Sequence, residues 1–109
     1  MIKRTIVGKW ITPDGTPASG NITFRASEKV TYLTENVILV RVEVVVPLDD
    51  QGEISVDLPT TDEANTEPSS WWWTAQRSLK GQPGRSTSFE LPAGAEIDFT
   101  DLVNIGGSL

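Results

Sequence analysis

The chain of 109 residues contains no cysteine and no histidine. Without cysteine it has no disulfide and no thiol nucleophile. Without histidine the usual zinc and haem ligands and every histidine-based acid–base mechanism are excluded. Long apolar runs are also missing, because Gly8 and Lys9 interrupt the segment that follows Lys3 and Arg4. No signal peptide or membrane span is therefore predicted, and the starting Met is expected to be the true N-terminus.

Positive charge is scarce in the second part of the chain. Residues 1–45 carry six basic and four acidic side chains, whereas residues 46–109 carry three basic and eleven acidic ones, for a net charge of −6. An acidic body disfavours nucleic-acid binding, which needs clustered Lys and Arg. Colloidal solubility is the simpler meaning of the charge. The length allows about one domain with one core.

Residues 36–59 carry the clearest pattern. Apolar and polar residues alternate along both halves, which predicts an antiparallel hairpin whose two strands each bury one face. The residues expected in the core are Ile38, Val40, Val42, Val44, Val46, Ile54, Val56 and Leu58. Opposed residues of an antiparallel pair lie on the same face of the sheet, so Asp49 is expected to pair with Glu53. This pairing leaves a three-residue loop ending at Gly52, where a left-handed residue is needed. Pro47 lacks an amide proton, which predicts a sheet edge or an early end to the first strand.

Shorter alternating segments predict further strands at 4–10, 21–26, 71–79, 86–91 and 96–103, with a short strand or an ordered loop within 27–35. The residues expected to point inward are Ile22, Phe24, Thr87, Phe89 and Leu91. Ile6, Gly8 and Trp10 are expected to share one face of their strand, and Ile97 and Phe99 one side of theirs. The first two strands and the turn at 12–20 are expected to form one hairpin-like unit. The eleven polar residues 60–70 are expected to cross between sheets or to carry a contact surface.

No window has a helical period. Six to seven short strands separated by Gly/Pro turns predict an all-β fold, an antiparallel β-sandwich of transthyretin-like or immunoglobulin-like type. We expect one domain at residues 1–103, followed by a C-terminal exit segment at 104–109.

Three consecutive tryptophans open the strand at 71–79. Alternation sends Trp71 and Trp73 into the core and Trp72 to the opposite face. An exposed tryptophan is typical of a contact hot spot. The equally weighted alternative is that Trp72 lies under the 60–70 connection or over the stem of Arg77.

Sequence patterns typical of catalytic or metal sites are weak. Asp49, Asp50 and Glu53 surround Gly52 without the spacing of a calcium-binding EF-hand, and a solvated hairpin tip explains them better. Fifteen acidic residues allow a paired-carboxylate glycosidase in principle, but nothing places two of them in one cleft. The Gly/Pro segment at 81–86 lacks the phosphate-loop spacing. We expect no catalytic residue, no metal ligand and no cofactor.

The order of these motifs resembles small β-sandwich domains in minor tail or tail-fibre proteins of phages that infect actinobacteria. The resemblance covers nearly the whole chain. Its motifs are Val7–Trp10, Pro13–Gly20, Ile22–Phe24, Asp50–Asp62, Trp71–Arg77 and Pro83–Ser86. The triple tryptophan departs from the single tryptophan more usual in that family, so the resemblance assigns no role to Trp72.

The resemblance implies a non-enzymatic virion component that attaches a fibre or spike to the tail tip. It would be made in the host cytoplasm, located on the tail or capsid surface, and surrounded by other virion proteins in a symmetric oligomer. The expected interface residues are Trp72, Trp10, Pro13, Asp14, Pro17, Thr61, Asp62 and Glu67. The alternatives are a capsid decoration protein and a surface or carbohydrate-binding module that binds glycan through Trp72 or Trp10.

Overall fold

The computed structural model describes residues 1–41, 43–82 and 84–102. The predicted core position of Val42 and the predicted exit segment at 104–109 lie outside these residues. The elements, in chain order, are β1 (Lys3–Lys9), β2 (Gly20–Ala26), β3 (Val30–Tyr32), β4 (Val37–Leu39), β5 (Val44–Pro47), β6 (Glu53–Pro59), β7 (Thr66–Glu67), β8 (Trp73–Leu79), β9 (Arg85–Phe89), β10 (Ile97–Asp98) and a 3₁₀ turn at Phe99–Asp101. No α-helix occurs in this part of the chain.

The strands form three sheets in a sandwich-like all-β fold, as the sequence predicts. Their strand orders are β10-β1-β6, β5-β2-β8-β9 and β4-β3-β7. All pairs are antiparallel except β1 with β10. Six strands have four residues or more, which matches the expected number, and the other four have two or three residues.

The core consists of the inward residues of these sheets. Its fully buried large side chains include Ile6, Ile22, Phe24, Val30, Tyr32, Trp71, Phe89 and Leu91. Phe24 and Phe89 pack edge to face with ring centroids 6.4 Å apart. The indole N–H of Trp73, on β8, donates to the Pro59 carbonyl at the end of β6, 3.0 Å away. This bond connects the β10-β1-β6 sheet to the four-stranded sheet. Trp73 therefore fixes the spacing of these two sheets as well as filling the interior.

The predicted central hairpin forms at its loop but not along its strands. Asp49 N–H donates to the Glu53 carbonyl at 3.0 Å, and Gly52 has φ +74°, so the pairing and the left-handed glycine are confirmed. However, β5 pairs with β2, and β6 pairs with β1 in a different sheet. The loop is therefore a connection between sheets.

The prediction that even-numbered residues of the first strand are buried is wrong for Ile38, Val40 and Val44. Their side chains are 57%, 59% and 37% exposed. The physical reason is their position: β4 and β5 are both outer strands, so nothing among the described residues covers them. Pro47 at the end of β5 confirms the predicted edge position, because an edge strand tolerates a missing N–H.

The hairpin-like unit predicted from the first two strands is also wrong. β1 and β2 belong to different sheets. A single antiparallel bridge, Ile11 with Pro17, closes the turn between them. The two strands diverge because each has stronger partners: β1 runs along all seven residues of β6, and β2 along all seven of β8.

The 60–70 connection crosses from the sheet of β6 to that of β8. A crossing between sheets is one of the two alternatives that the sequence predicts for it. It also supplies β7, which pairs with β3. At the C-terminal end, the predicted strand shortens to β10, and the 3₁₀ turn buries Phe99. Asp98 caps that turn by accepting hydrogen bonds from the backbone N–H and the hydroxyl of Thr100, both at 2.9 Å.

Candidate interaction surface

Half of the exposed large apolar side chains among the described residues lie along the outer edge formed by β4 and β5. We call residues 37–41 and 43–47 the valine edge. Its exposed members are Val37 (37%), Ile38 (57%), Val40 (59%), Val44 (37%) and Val45 (54%). Within the described part of the chain no strand pairs with the outer side of β4 or β5. Apolar edges of this kind are interaction sites or aggregation sites, because their backbone groups and side chains both remain available.

Two charged side chains lie at the centre of the valine edge. The carboxylate of Glu43 forms an ion pair with Arg25 of the neighbouring strand β2. The Arg41 Nε donates to the Ala26 carbonyl at 3.1 Å. These contacts hold Arg41 and Glu43 against β2. They also leave the edge with one positive and one negative charge, in a chain whose net charge is −6.

Trp72 lies on the outer face of the four-stranded sheet, as parity predicts, and is 39% exposed. Its backbone N–H donates to the Ser27 hydroxyl at 3.1 Å, and its carbonyl accepts from the Ser27 N–H at 2.8 Å. The indole lines a shallow groove of about 270 Å³ together with Thr74, Gln76 and Arg41. It therefore remains available for contact. Arg77, the other suggested neighbour, instead lies 5.8 Å from the ring centre of Phe99.

Trp10 is half-buried and belongs to a different surface. Its indole packs edge to face on Phe99 at 5.2 Å and covers Gly8, where a Cβ atom would lie 2.8 Å from the indole ring. This arrangement forms one wall of a groove of about 680 Å³ that also contains Arg77 and Arg85. Gly8 and Trp10 therefore pack together, as the shared face predicted for them requires.

The turn that contains Pro13, Asp14 and Pro17 is exposed, as expected of a contact loop. Asp14 accepts hydrogen bonds from the hydroxyls of Thr12 and Thr16 and from the Thr16 backbone N–H. These bonds favour the ionised form and lower the pKa of Asp14 from 3.8 to about 2, the Thr12 hydroxyl being the largest cause. The turn is therefore fixed by its own side chains.

Replacing Thr12 with valine should raise the pKa of Asp14 towards its ordinary value, because the strongest donor to the carboxylate is lost. A lowered pKa stabilises the fold above the ordinary pKa, and that contribution disappears as the pH falls towards 2. An NMR titration of the Asp14 carboxyl carbon measures the change. The matched control Thr100→Val should leave Asp14 unchanged and raise the pKa of Asp98, which Thr100 lowers. An unchanged Asp14 midpoint in Thr12→Val would contradict this account.

The interface residues predicted on the 60–70 connection divide into two groups. Thr61 is 5% exposed: its N–H donates to the Leu91 carbonyl at 2.8 Å, and its hydroxyl accepts from the Leu91 N–H at 2.9 Å. The prediction of Thr61 as a contact residue is wrong, because these two bonds hold it between the residues that follow β6 and those that follow β9. Asp62 and Glu67 are exposed, and Asp62 accepts a bond from the Ala93 N–H at 3.1 Å.

The chemistry of the described side chains is limited. No group of three or more acidic side chains that would hold a metal ion occurs among them. Among the described residues, no helix has the length and apolarity needed to cross a membrane. The hydroxyl of Tyr32 is buried, and burial with the nearby Glu63 and Glu35 raises its pKa to about 12. A phenol of such weak acidity is poorly suited to acid–base work near neutral pH.

Comparison with known proteins adds no relative. The sequence matches no protein-family model, and a search of curated proteins finds no match.

Proposed function

We propose that this chain is a structural protein of a phage virion, a tail, baseplate or tail-fibre attachment component that acts by protein–protein assembly and catalyses no reaction. Its partners are other virion proteins, and it needs no cofactor.

The observation that carries the proposal is the valine edge. Ile38 on β4, Val45 on β5 and Val40 between these two outer strands are each more than half exposed. A soluble monomer usually protects such an edge with lysine, proline or a covering loop, and here Pro47 protects one end. An edge of this kind is best explained by a neighbour that covers it in an assembly, where backbone pairing and apolar contact give affinity.

The resemblance to actinobacterial phage tail proteins favours the tail over the capsid. A head-decoration protein uses the same kind of scaffold and the same kind of contact, and it is the closest variant of the proposal. The exposed Trp72 beside Thr74 and Gln76 is the feature that favours the carbohydrate-binding alternative, since saccharide rings stack on indole and bond to hydroxyl and amide groups.

The proposal is tested on particles produced from the genome that encodes the chain. We expect the protein to copurify with the particles at a fixed ratio, and antibody labelling in the electron microscope to mark the tail. Because the valine edge is the proposed contact, the double variant Ile38→Lys, Val45→Lys should be lost from the particles.

The matched control is the double variant Ile2→Lys, Ile11→Lys, which adds the same two charges at isoleucines that are 53% and 61% exposed and lie outside the edge. This variant should be incorporated normally. Wild-type protein that stays entirely in the soluble fraction, or that binds a glycan array through Trp72 without entering particles, would overturn the proposal. Labelling on the capsid would replace the tail assignment with head decoration.

A further inference from the structure

We infer that the open edge of β9 binds an extended acidic segment of a partner protein, which adds a strand to the four-stranded sheet and brings its carboxylates to Arg77 and Arg85. β5 and β9 are the two outer strands of that sheet, so this surface is separate from the valine edge. The inference does not use the proposed function, and it stands or fails independently of it. It follows from the positions of the two arginines, their missing counter-charges and the open backbone groups of β9.

Arg77 and Arg85 lie directly opposite each other on the inward face of the sheet. The alternation that buries Trp73 and Ala75 on β8 gives Arg77 the same face, and Arg85 is its partner on β9. Like charges directly opposite each other destabilise a sheet. A partner carboxylate that contacts both guanidinium groups removes this repulsion.

The two arginines have no carboxylate partner among the described residues. The Arg77 Nη2 donates to the Thr87 hydroxyl at 3.3 Å, and its Cζ lies 5.8 Å from the ring centre of Phe99. Its Nε is buried without a hydrogen-bond partner in this part of the chain. Arg85 is exposed and has neither a hydrogen bond nor an ion pair with another described residue. Because a guanidinium has five donors and matches a carboxylate in a bidentate manner, most of this donor set is open to a ligand.

The arginines line the groove of about 680 Å³ whose wall includes Trp10. Residues 84–87 line it from β9, and residues 8–10 and 98–100 line it from the β10-β1-β6 sheet and the turn that follows β10. Lys9 adds a third positive charge, although it also contacts Glu53 at 3.8 Å. The acidic residue of the lining, Asp98, already accepts two bonds from Thr100. The groove is therefore locally positive in a chain of net charge −6, and it favours an anionic partner.

The hydrogen bonds of β8 determine which backbone groups of β9 are open. The Ser27 N–H donates to the Trp72 carbonyl at 2.8 Å, and the Lys80 N–H to the Ser19 carbonyl at 2.9 Å; both pairs continue the β2–β8 register. Because bonded pairs alternate along an antiparallel ladder, the even-numbered residues of β8 bond to β2 and the odd-numbered ones to β9. Ser86 therefore directs its N–H and C=O groups away from β8, on a side where no described strand pairs with β9.

A strand added beside β9 has a defined arrangement of side chains. Its residue opposite Ser86 points to the outer face, and the residues before and after it point inward, beside Arg85 and Thr87. Acidic side chains at alternate positions therefore reach the arginines. Inward-pointing charges also protect an edge strand from unwanted pairing. Here they disfavour a strand without acidic residues and accept one that carries them, so the edge selects its partner by charge.

The open backbone groups beside the arginines favour a peptide over an acidic saccharide. A carboxylated sugar bonds to the guanidinium groups alone. An extended peptide bonds to them and also pairs with the N–H and C=O groups of Ser86, as in other cases of strand addition to a sheet edge.

The probe is an octapeptide of alternating glutamate and threonine with blocked termini, titrated into the isotope-labelled full chain. We expect the NMR shift changes to be largest at residues 84–87 and 8–10, and the affinity to fall as the salt concentration rises. The matched peptide has glutamine in place of glutamate and should bind roughly tenfold more weakly. Equal binding of the two peptides, or no binding of the glutamate peptide, would overturn the inference and leave the arginines as protection of the edge.

Arg85→Gln should weaken binding of the glutamate peptide by roughly tenfold, because charge-assisted hydrogen bonds are lost. Its urea midpoint should equal or exceed that of the wild type, since an opposed positive charge is removed, which separates lost binding from lost folding. The matched control Lys29→Gln removes the same charge from an exposed side chain between β2 and β3 and should bind like the wild type. Unchanged affinity in Arg85→Gln would contradict the inference. Binding of oligogalacturonate that depends on Arg85, without binding of the peptide, would replace the acidic segment with an acidic saccharide.

Discussion

Replacing Trp73 with alanine should lower the free energy of unfolding by about 3–5 kcal/mol. The side chain is 2% exposed and packs edge to face on Trp71 with ring centroids 5.4 Å apart. The substitution leaves a cavity between the four-stranded sheet and the β10-β1-β6 sheet, because a packed interior relaxes only in part. It also leaves the Pro59 carbonyl without the indole N–H, which donates to it at 3.0 Å.

The matched control is Trp72→Ala, which removes the same side chain from the next position on the opposite face. Trp72 is 39% exposed, so its loss should cost about 1 kcal/mol or less. Urea unfolding followed by far-UV circular dichroism measures both, since the tryptophan signal itself changes in these variants. Similar losses for Trp72 and Trp73 would contradict the assignment of the two faces.

The difference between Trp72 and Trp73 shows what the sequence predicts well. Successive residues of a strand point to opposite faces, so one correct assignment fixes all of its neighbours. The same rule placed Ile22, Phe24 and Phe89 in the interior, where they are 0% exposed. Local turn geometry was equally predictable, because few residues adopt the left-handed conformation that the turn before β6 requires.

Strand pairing was less predictable. Alternation gives the face of each side chain and does not say which strand lies beside it. The sequence therefore predicts that the segments before and after Asp49 pair with each other, although β5 and β6 belong to different sheets. The face assignment also fails where the ladder shifts. Val46 and Val44 point to the predicted face, although Val44 is 37% exposed at the sheet edge. Ile38 points to the opposite face, because the β3–β4 register is displaced by one residue from that of β2 and β5.

The candidate site could be predicted in part. Trp72 and the turn at Asp14 are exposed, as the sequence indicates, whereas Thr61 is buried by bonds that no local pattern reveals. Alternation predicts that Ile38, Val40 and Val44 of the valine edge lie in the core, but the structure has them exposed. The signal of this edge was present in the sequence, in that Val44, Val45 and Val46 are apolar on both faces and precede a proline. Such a run is typical of a strand that contacts protein on more than one side.

Replacing Gly52 with alanine should destabilise the chain by about 1–3 kcal/mol more than the same change at Gly81. Both glycines have left-handed backbones, with φ of +74° and +81°. A Cβ atom at Gly52 would lie 2.4 Å from the Trp10 carbonyl oxygen, whereas a Cβ atom at Gly81 meets nothing within 4 Å. The backbone penalty of roughly 1–2 kcal/mol is therefore common to both, and the difference between them measures the clash alone.

The clash at Gly52 falls on backbone atoms that cannot rotate away. The Trp10 N–H donates to the Gly52 carbonyl at 2.9 Å, and the Trp10 carbonyl accepts from the Ala18 N–H at 3.0 Å. Relief therefore requires the β5–β6 connection to move away from the end of β1, which breaks these bonds. Urea unfolding of the two alanine variants gives the comparison. Equal losses of unfolding free energy at Gly52 and Gly81 would mean that the β5–β6 connection does not contact the chain at Trp10, after the end of β1.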